Sequence, residues 1–99
     1  MKKVYVLNDG GHDYRDAERY GQLVFCTTGS VNKWDIAQMY RELSDALQDA
    51  NPDDYILLSS LSSLCSVATA LMVDRFREVH WLLYKDNQYI HRDLVLGDN

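Results

Sequence analysis

The feature that most constrains the fold is an alternation of short apolar segments with a helical pattern. Residues 23–27 (Leu-Val-Phe-Cys-Thr) and 55–58 (Tyr-Ile-Leu-Leu) are almost continuously apolar, which is typical of strands covered on both faces. Between them, residues 36–50 repeat apolar side chains at intervals of three and four, the spacing of one helix face. A strand, a helix and a second strand in this order predict a unit with two parallel strands.

Two earlier segments extend this unit toward the N-terminus. Residues 3–7 are rich in β-branched and aromatic side chains and stop at a run of Asn, Asp and two glycines, so they predict a first strand. Residues 13–21 predict a short helix, with Asp13 as its N-cap and Gly21 just beyond its C-terminus.

Three later segments extend the unit toward the C-terminus. Residues 64–76 are apolar on nearly all sides and predict a helix that is mostly buried. Residues 79–84 and 89–96 predict two strands joined across Asp86-Asn87, a pair that tolerates the positive φ of a tight turn. The chain therefore closes with an antiparallel hairpin.

The amphipathic helix in the centre of the chain has marked ends. Asn32 suits its N-cap, and Asp35 lies in its first turn, where a carboxylate meets the positive end of the helix dipole. The helix must end before Pro52, because the residue before a proline is driven out of the helical region. Its predicted core stripe consists of Ile36, Met39, Tyr40, Leu43, Ala46, Leu47 and Ala50.

These elements predict a single α/β domain over residues 1–99, in the order β-α-β-α-β-α-β-β. The length of 99 residues leaves room for one domain. Helices that alternate with apolar strands favour a small Rossmann-like fold, with a mainly parallel sheet and a C-terminal antiparallel hairpin.

Charge and cysteine content exclude several classes of function. A formal net charge of −5 argues against nucleic-acid binding that depends on phosphate contacts. Cys26 and Cys65 are too few for a disulfide scaffold and lack zinc-site spacing, so we expect a reducing, cytoplasmic setting. The uncharged segment 55–73 contains five serines and a threonine, so we expect no membrane span.

Three loops are the candidate ligand site. Each is predicted to leave the carboxyl end of a parallel strand and to enter a helix, and such loops meet at one edge of a sheet. Glycines there let a ligand approach the backbone, and hydroxyls with helix-start amides bind anionic or nucleotide-like groups. The same residue types are also what ordinary turns and caps require. The candidate ligand-binding residues are Asn8, Asp9, Gly10, Gly11, His12, Asp13, Thr28, Gly29, Ser30, Ser60 and Ser62.

The leading hypothesis is therefore a non-enzymatic protein that binds or sequesters a small nucleotide-like or anionic ligand. The sequence lacks the glycine-rich motifs of dinucleotide-binding and P-loop proteins, so we expect no cofactor. A third-ranked alternative is a small hydrolase, because Asp9, His12 and Asp13 combine carboxylate and imidazole groups.

Other reactive side chains have ordinary structural explanations. Strand alternation allows His80 and His91 to lie on one face of the hairpin, but histidines at such positions are more often structural or solvent-facing, and we expect no metal site. Cys65 near a helix start invites a nucleophile hypothesis, although a free cysteine is usually a small buried apolar residue.

The runner-up hypothesis is an acidic protein that modulates a host protein by binding it. An acidic surface around the central helix would dock onto a basic partner, and the aromatic hairpin with Trp81, Tyr84 and Tyr89 offers a second interface. A last strand at a sheet edge also favours a homodimer. The acidic surface is predicted to contain Glu42, Asp45, Asp49, Asp53 and Asp54.

Three segments together resemble short α/β proteins encoded by tailed bacteriophages. They are residues 8–14 (Asn-Asp-Gly-Gly-His-Asp-Tyr), 16–21 (Asp-Ala-Glu-Arg-Tyr-Gly) and 53–59 (Asp-Asp-Tyr-Ile-Leu-Leu-Ser). The resemblance spans most of the chain. It implies a protein made inside a bacterial cell, of a kind whose members often bind host factors or sequester small signals.

Overall fold

The computed structural model describes residues 1–97 as a small α/β domain. It has five strands, one short 3-10 helix (η1) and two α-helices. In chain order they are β1 (Lys3–Val6), η1 (Arg15–Arg19), β2 (Gln22–Phe25), α1 (Ile36–Ala46), β3 (Tyr55–Leu57), α2 (Ser62–Phe76), β4 (Glu78–Lys85) and β5 (Gln88–Val95). None of the helices in this part of the chain is both long and apolar enough to cross a membrane.

The strands form one mixed sheet in the order β2-β1-β3-β4-β5. β1 pairs in parallel with β2 and β3, and β3 pairs in parallel with β4. β4 and β5 form the predicted antiparallel hairpin. Its turn residues Asp86 and Asn87 have φ values of 52° and 67°, the left-handed conformation that a two-residue hairpin turn requires.

The helices divide between the two faces of the sheet. Across the sheet, the connection from β1 to β2 runs in one direction, and the connection from β2 to β3 runs back in the opposite direction. Because connections between parallel strands are right-handed, this reversal places η1 and α1 on opposite faces. One face buries Tyr5 and Ile56 against α1 and α2, and the other buries Val4, Val6 and Leu57 on the side of η1.

The start of α1 differs from the prediction. Asp35, not Asn32, is the N-cap: its carboxylate accepts a hydrogen bond of 3.0 Å from the backbone N–H of Gln38. The side chain of Asn32 instead accepts from the backbone N–H of Trp34 at 3.0 Å. An asparagine side chain that binds the backbone two residues later forms a turn that competes with a helix, so α1 begins later than predicted.

The predicted core stripe of α1 is only partly correct. Met39, Leu43 and Leu47 are buried, but Ile36 is 48% exposed and Tyr40 is 55% exposed. These two residues lie at the start of α1 and face the groove beside α2 rather than the sheet. The helical spacing predicted which residues share a face, but the width of the covered stripe depends on the neighbouring elements.

Three further burial or capping predictions are wrong. The outer side of α2 is open, so that Val67 and Leu71 are only partly buried. β2 is an edge strand with one neighbour, and Phe25 at its end is 43% exposed. The N-cap position of η1 is occupied by Tyr14, which makes no side-chain capping bond. Asp13, the predicted N-cap, lies one residue before that position, and its carboxylate accepts from the backbone N–H of Arg15, the first residue of η1, at 3.0 Å.

One residue of the predicted acidic surface, Asp54, is not on the surface. Asp54 is completely buried. Its Oδ1 accepts from the backbone N–H of Lys3, and its Oδ2 accepts from that of Asn51, both at 2.9 Å. Asp54 therefore ties the start of β1 to the turn before β3, and it cannot meet a partner.

Candidate functional site

The first two predicted loops lie side by side at the carboxyl ends of β1 and β2. The backbone N–H of Asp9 donates to the carbonyl oxygen of Thr27 at 3.0 Å, and Asp9 and Thr28 form an isolated parallel bridge. The hydroxyl of Thr27 donates to the carbonyl oxygen of Leu7 at 2.7 Å and lies 3.1 Å from the Asn8 side-chain oxygen. Asn8 therefore helps to hold the two loops together.

The first loop is held by local hydrogen bonds. The N–H of Gly11 donates to the carboxylate of Asp9 at 3.2 Å, and Gly11 has a φ of 83°. The buried Tyr14 hydroxyl accepts from the N–H of Gly10 and donates to the carbonyl oxygen of Asn8, both at 3.4 Å. Gly11 is therefore needed for its backbone conformation, whether or not a ligand approaches it.

A cleft brings the first and third loops together. It has a volume of about 350 Å³. His12 and Asp13 come from the first loop and Ser59 follows β3, whereas Tyr84 and Tyr89 come from the closing hairpin. We call this group of five residues the tyrosine cleft.

The hairpin wall of the tyrosine cleft is firmly anchored. The backbone N–H of Tyr89 donates to the carboxylate of Asp16 at 2.7 Å. The carbonyl oxygen of Tyr89 accepts from the Tyr20 hydroxyl at 2.9 Å and from the Arg19 guanidinium at 2.5 Å. Burial raises the pKa of the Tyr89 phenol. Because η1 and its flanking residue hold both backbone groups of Tyr89, this wall is fixed in place before any ligand binds.

The second wall carries an ion pair. Arg15 donates to both carboxylate oxygens of Asp13, at 2.9 and 2.7 Å. These hydrogen bonds lower the pKa of Asp13 to about 2. Asp13 is therefore ionised at neutral pH, and a carboxylate with so low a pKa is a weak general base.

The other predicted site residues lie elsewhere. Thr28 and Ser30 line a separate cavity of about 550 Å³ between β2 and α1, together with Asp35. Ser60 precedes α2 and its carbonyl oxygen lies 3.7 Å from the Cys65 sulfur, whereas Ser62 is the first residue of α2. Only four residues of the predicted set line these two cavities, His12 and Asp13 in the tyrosine cleft and Thr28 and Ser30 in the second. Asp9 lines a third cavity, of about 870 Å³, together with His12 and Asp13. Gly29 has a φ of 74° and lies in the loop of the second cavity.

Sequence reasoning placed Ser59 in the third loop but did not select it as a ligand-binding residue. It treated the hairpin tyrosines only as a possible protein interface. The register of the hairpin could have predicted that the two tyrosines lie together. A two-residue turn at 86–87 places Tyr84 directly opposite Tyr89, and residue alternation puts both rings on one face. Which face that is depends on the sheet order.

The cysteines offer no activated nucleophile. Burial raises the pKa of the Cys65 thiol above its usual value. Burial also raises the pKa of Cys26 to about 12. Both sulfurs are therefore protonated at neutral pH, as expected for cysteines that serve as apolar side chains.

His80 and His91 lie on the same face of the hairpin, as alternation allows, together with Asp93. The nearest ligand atoms of these three residues all lie within 4.8 Å of one another. They are the one group in the chain through residue 97 with the composition and spacing of a metal centre.

Comparison with known protein families shows where this chain belongs. Residues 2–96 match the family described as Phage Pam3 gp32-like protein. No curated protein and no solved structure matches the chain. The match covers almost the whole sequence and agrees with the resemblance to bacteriophage proteins. This chain belongs to the Phage Pam3 gp32-like protein family.

Proposed function

We propose that this protein binds a small nucleotide-like ligand in the tyrosine cleft, without catalysing a reaction, in the cytoplasm of a phage-infected bacterium. One observation carries the proposal. The cleft joins the loops that follow β1 and β3, two adjacent strands from which the chain departs in opposite directions. In open α/β sheets, such a switch point is where ligands bind. The proposal includes a Rossmann-like, mainly parallel fold, for which the strand order and the three parallel pairings are the support.

The chemistry of the cleft favours the nucleoside part of such a ligand. The Tyr84 ring is 56% exposed and offers a face on which a heterocyclic base stacks. The Ser59 hydroxyl and the Asp13 carboxylate are suited to hydrogen bonding with sugar hydroxyls. Arg15 offsets the charge of Asp13, so this carboxylate does not decide where an anionic group of the ligand lies, and we place that group at the start of α2. The start of α2 follows Ser59 closely in the chain and has no side-chain cap on its amides.

The test is a titration of the isotopically labelled protein with a panel of nucleosides and nucleoside monophosphates, followed by amide NMR. We expect at least one compound to shift the signals of His12, Ser59 and Tyr84 together. Tyr84→Ala should weaken its binding about 10-fold, since stacking on an aromatic ring is worth about 1–3 kcal/mol per base. Tyr40→Ala is the matched control, because Tyr40 is 55% exposed but lies on α1.

Two results would contradict this proposal. One is that no compound in the panel shifts the signals of the cleft. The other is that Tyr40→Ala weakens binding as much as Tyr84→Ala. A Gly11 variant is a poor probe here, because a side chain at a φ of 83° strains the loop whether or not a ligand binds.

The alternative function is binding of a host protein through α1. Ile36 and Tyr40 are exposed beside a groove of about 480 Å³ that Leu71 and Asp74 line from α2. Glu42, Asp45 and Asp49 are also exposed. The apolar groove carries Asp74 in its lining, whereas Glu42 and Asp45 line the cavity on the other side of α1. A partner that fits would cover the groove with apolar side chains and reach across α1 with basic ones.

Charge reversal separates this alternative from ligand binding. Asp45→Lys combined with Asp49→Lys should abolish binding of such a partner and leave ligand binding in the tyrosine cleft unchanged. Tyr84→Ala should have the opposite pattern. If a partner binds the doubly reversed variant with the same affinity as the unaltered protein, α1 is not its binding surface.

We also propose a homodimer through β5. Of the two edge strands, β5 has eight residues and β2 has four, and the long β5 edge leaves more backbone groups free to pair. Leu94 and Val95 at the end of β5 are exposed. Sedimentation equilibrium should give twice the chain mass of 11.5 kDa. A monomer at every concentration would contradict the dimer.

A further inference from the structure

The face of the hairpin that is turned toward η1 carries His80, His91 and Asp93. In the hairpin register, His80 on β4 lies directly opposite Asp93 on β5, and His91 precedes Asp93 by two residues. Residues two apart on a strand point to the same side. The three side chains therefore converge because of the register, although they are separated in the sequence.

The distances between the nitrogen and oxygen atoms are close to those of a metal centre. The Nδ1 of His80 lies 3.4 Å from the Nε2 of His91. Ligand atoms of a tetrahedral zinc site, with bonds of about 2.0–2.2 Å, lie about 3.3–3.6 Å apart. The Oδ1 of Asp93 lies between the two rings, 2.5 Å from the Nδ1 of His80 and in contact with the Nε2 of His91. Only the exposed Asp93 carboxylate has to move, by about 1 Å, to make room for an ion at those bond lengths.

Neighbouring side chains hold both imidazole rings in place. The Nε2 of His80 lies 3.5 Å from the Glu78 carboxylate. A carboxylate on one ring nitrogen orients a histidine so that its other nitrogen binds metal. The ring of Tyr55 packs edge-on against His91 with 5.0 Å between centroids, and it also contacts His80 at 6.3 Å. Tyr20 also packs edge-on against His91, with 6.4 Å between ring centroids.

The ligand set selects the kind of ion. Two imidazole nitrogens and one carboxylate oxygen suit Zn²⁺ and similar transition-metal dications, whereas Ca²⁺ and Mg²⁺ prefer oxygen ligands. Asp93 and part of His91 are open to solvent, which gives an ion a way in.

We propose that His80 through Nδ1, His91 through Nε2 and Asp93 through its carboxylate bind one Zn²⁺ ion. Glu78 positions the His80 ring as an outer partner. Three protein ligands leave the fourth tetrahedral position open to water or an external ligand. This centre is separate from the tyrosine cleft: its ligands lie nearer the other end of the hairpin, and its existence does not depend on the proposed ligand.

The test is calorimetric titration of the chelator-treated full chain with zinc sulfate. We expect one Zn²⁺ per chain. His80→Ala, His91→Ala and Asp93→Asn should each weaken binding by more than about 100-fold, and Glu78→Gln by about 10–100-fold, the usual effect of losing an outer carboxylate. His12→Ala is the matched control, because the chain has three histidines and His12, in the first loop, is the one outside this group. It should bind Zn²⁺ as the unaltered protein does.

A second measurement identifies the atoms. Long-range proton-nitrogen NMR of the histidine rings should show zinc-dependent shifts at Nδ1 of His80 and Nε2 of His91, with His12 unchanged. Asp93→Asn keeps the shape of an exposed side chain, so it guards against a histidine variant that fails to fold. The proposal is overturned if Asp93→Asn and His91→Ala bind zinc as the unaltered protein does, if His12→Ala loses as much affinity as they do, or if millimolar Mg²⁺ displaces the zinc.

Discussion

Tyr84 and Tyr89 face each other across the two-residue turn of the hairpin, with ring centroids 5.1 Å apart and ring planes at 65°. The pair combines an anchored ring with an accessible one. Tyr89 is 4% exposed and its backbone is held by Asp16, Arg19 and Tyr20, whereas Tyr84 is more than half exposed. The two residues therefore differ in what they contribute to stability and to binding.

Truncation of the two tyrosines should have unequal effects on folding. Tyr89→Ala empties a buried position and should lower the free energy of unfolding by about 3 kcal/mol. Tyr84→Ala removes the edge-to-face contact and an exposed 3.5 Å hydrogen bond from its hydroxyl to the Asn87 side chain, and it should cost about 1 kcal/mol. Urea denaturation of both variants measures the difference. Equal losses would mean that Tyr84 is part of the core, and Tyr84→Ala would then be unsuitable as a binding probe.

Replacement of the buried Asp54 should destabilise the fold. Asp54→Ala leaves the N–H groups of Lys3 and Asn51 without their acceptor. An unsatisfied buried donor costs about 1–3 kcal/mol, so we expect a loss of about 2–4 kcal/mol. The adjacent Asp53 is exposed, and Asp53→Ala should change stability by less than about 0.5 kcal/mol. Chemical denaturation measures both, and a neutral Asp54→Ala would show that these N–H groups find other acceptors.

Truncations on α1 should distinguish its covered side from its open side. Leu43 is fully buried, and Leu43→Ala should cost about 2–5 kcal/mol. Ile36 is half exposed at the start of the helix, and Ile36→Ala should cost less than about 1 kcal/mol. Thermal unfolding of the two variants compares them. If Ile36→Ala proves as costly as Leu43→Ala, something covers Ile36 in solution.

The ion pair between Asp13 and Arg15 predicts a specific dependence on pH. The carboxyl pKa of Asp13 is lowered to about 2 in the folded protein, chiefly by hydrogen bonds from Arg15, whereas an unperturbed aspartate has a pKa of about 3.9. The interaction therefore stabilises the fold above about pH 4 and is lost as the pH falls through about 2. Because both side chains are exposed, the effect on stability is small.

Carboxyl NMR of Asp13 against pH measures this shift directly. Arg15→Gln should raise the midpoint toward the ordinary value of about 3.9. It should stay below that value, because the backbone N–H of residue 15 still donates to Asp13. Lys33→Gln removes a cation elsewhere on the surface and should leave the midpoint where it is. A midpoint near 4 in the unaltered protein would show that Arg15 does not hold this carboxylate. It would also strengthen the hydrolase alternative, because Asp13 would then be a stronger base.

The sequence predicted the elements of this domain well because local patterns determine them. Continuous apolar segments mark β1 and β3, spacing of three and four marks α1, and Asp86-Asn87 marks the hairpin turn. The errors concern coverage by distant elements. Ile36, Phe25 and the outer side of α2 are apolar, yet no pattern within those segments shows whether another layer of structure covers them.

The candidate site illustrates the same division. The parallel strand order brought the first two loops together as predicted, because the carboxyl ends of parallel strands share an edge. The structure added Ser59, Tyr84 and Tyr89 to His12 and Asp13, and it placed Thr28 and Ser30 in another cavity. Which loops face the same side of the sheet depends on the direction of each connection, which is a property of the whole topology.

The amino-acid sequence by itself determined that this chain forms strands and helices in an α/β order, since periodicity and turn chemistry act over a few residues. Only the tertiary structure decided that Asp54 is buried, that His80, His91 and Asp93 converge, and that two tyrosines from the hairpin close the cleft. Those outcomes depend on strand order and register. Both are set by packing between residues far apart in the chain, and a shift of one residue in register would turn the same side chains to the opposite face.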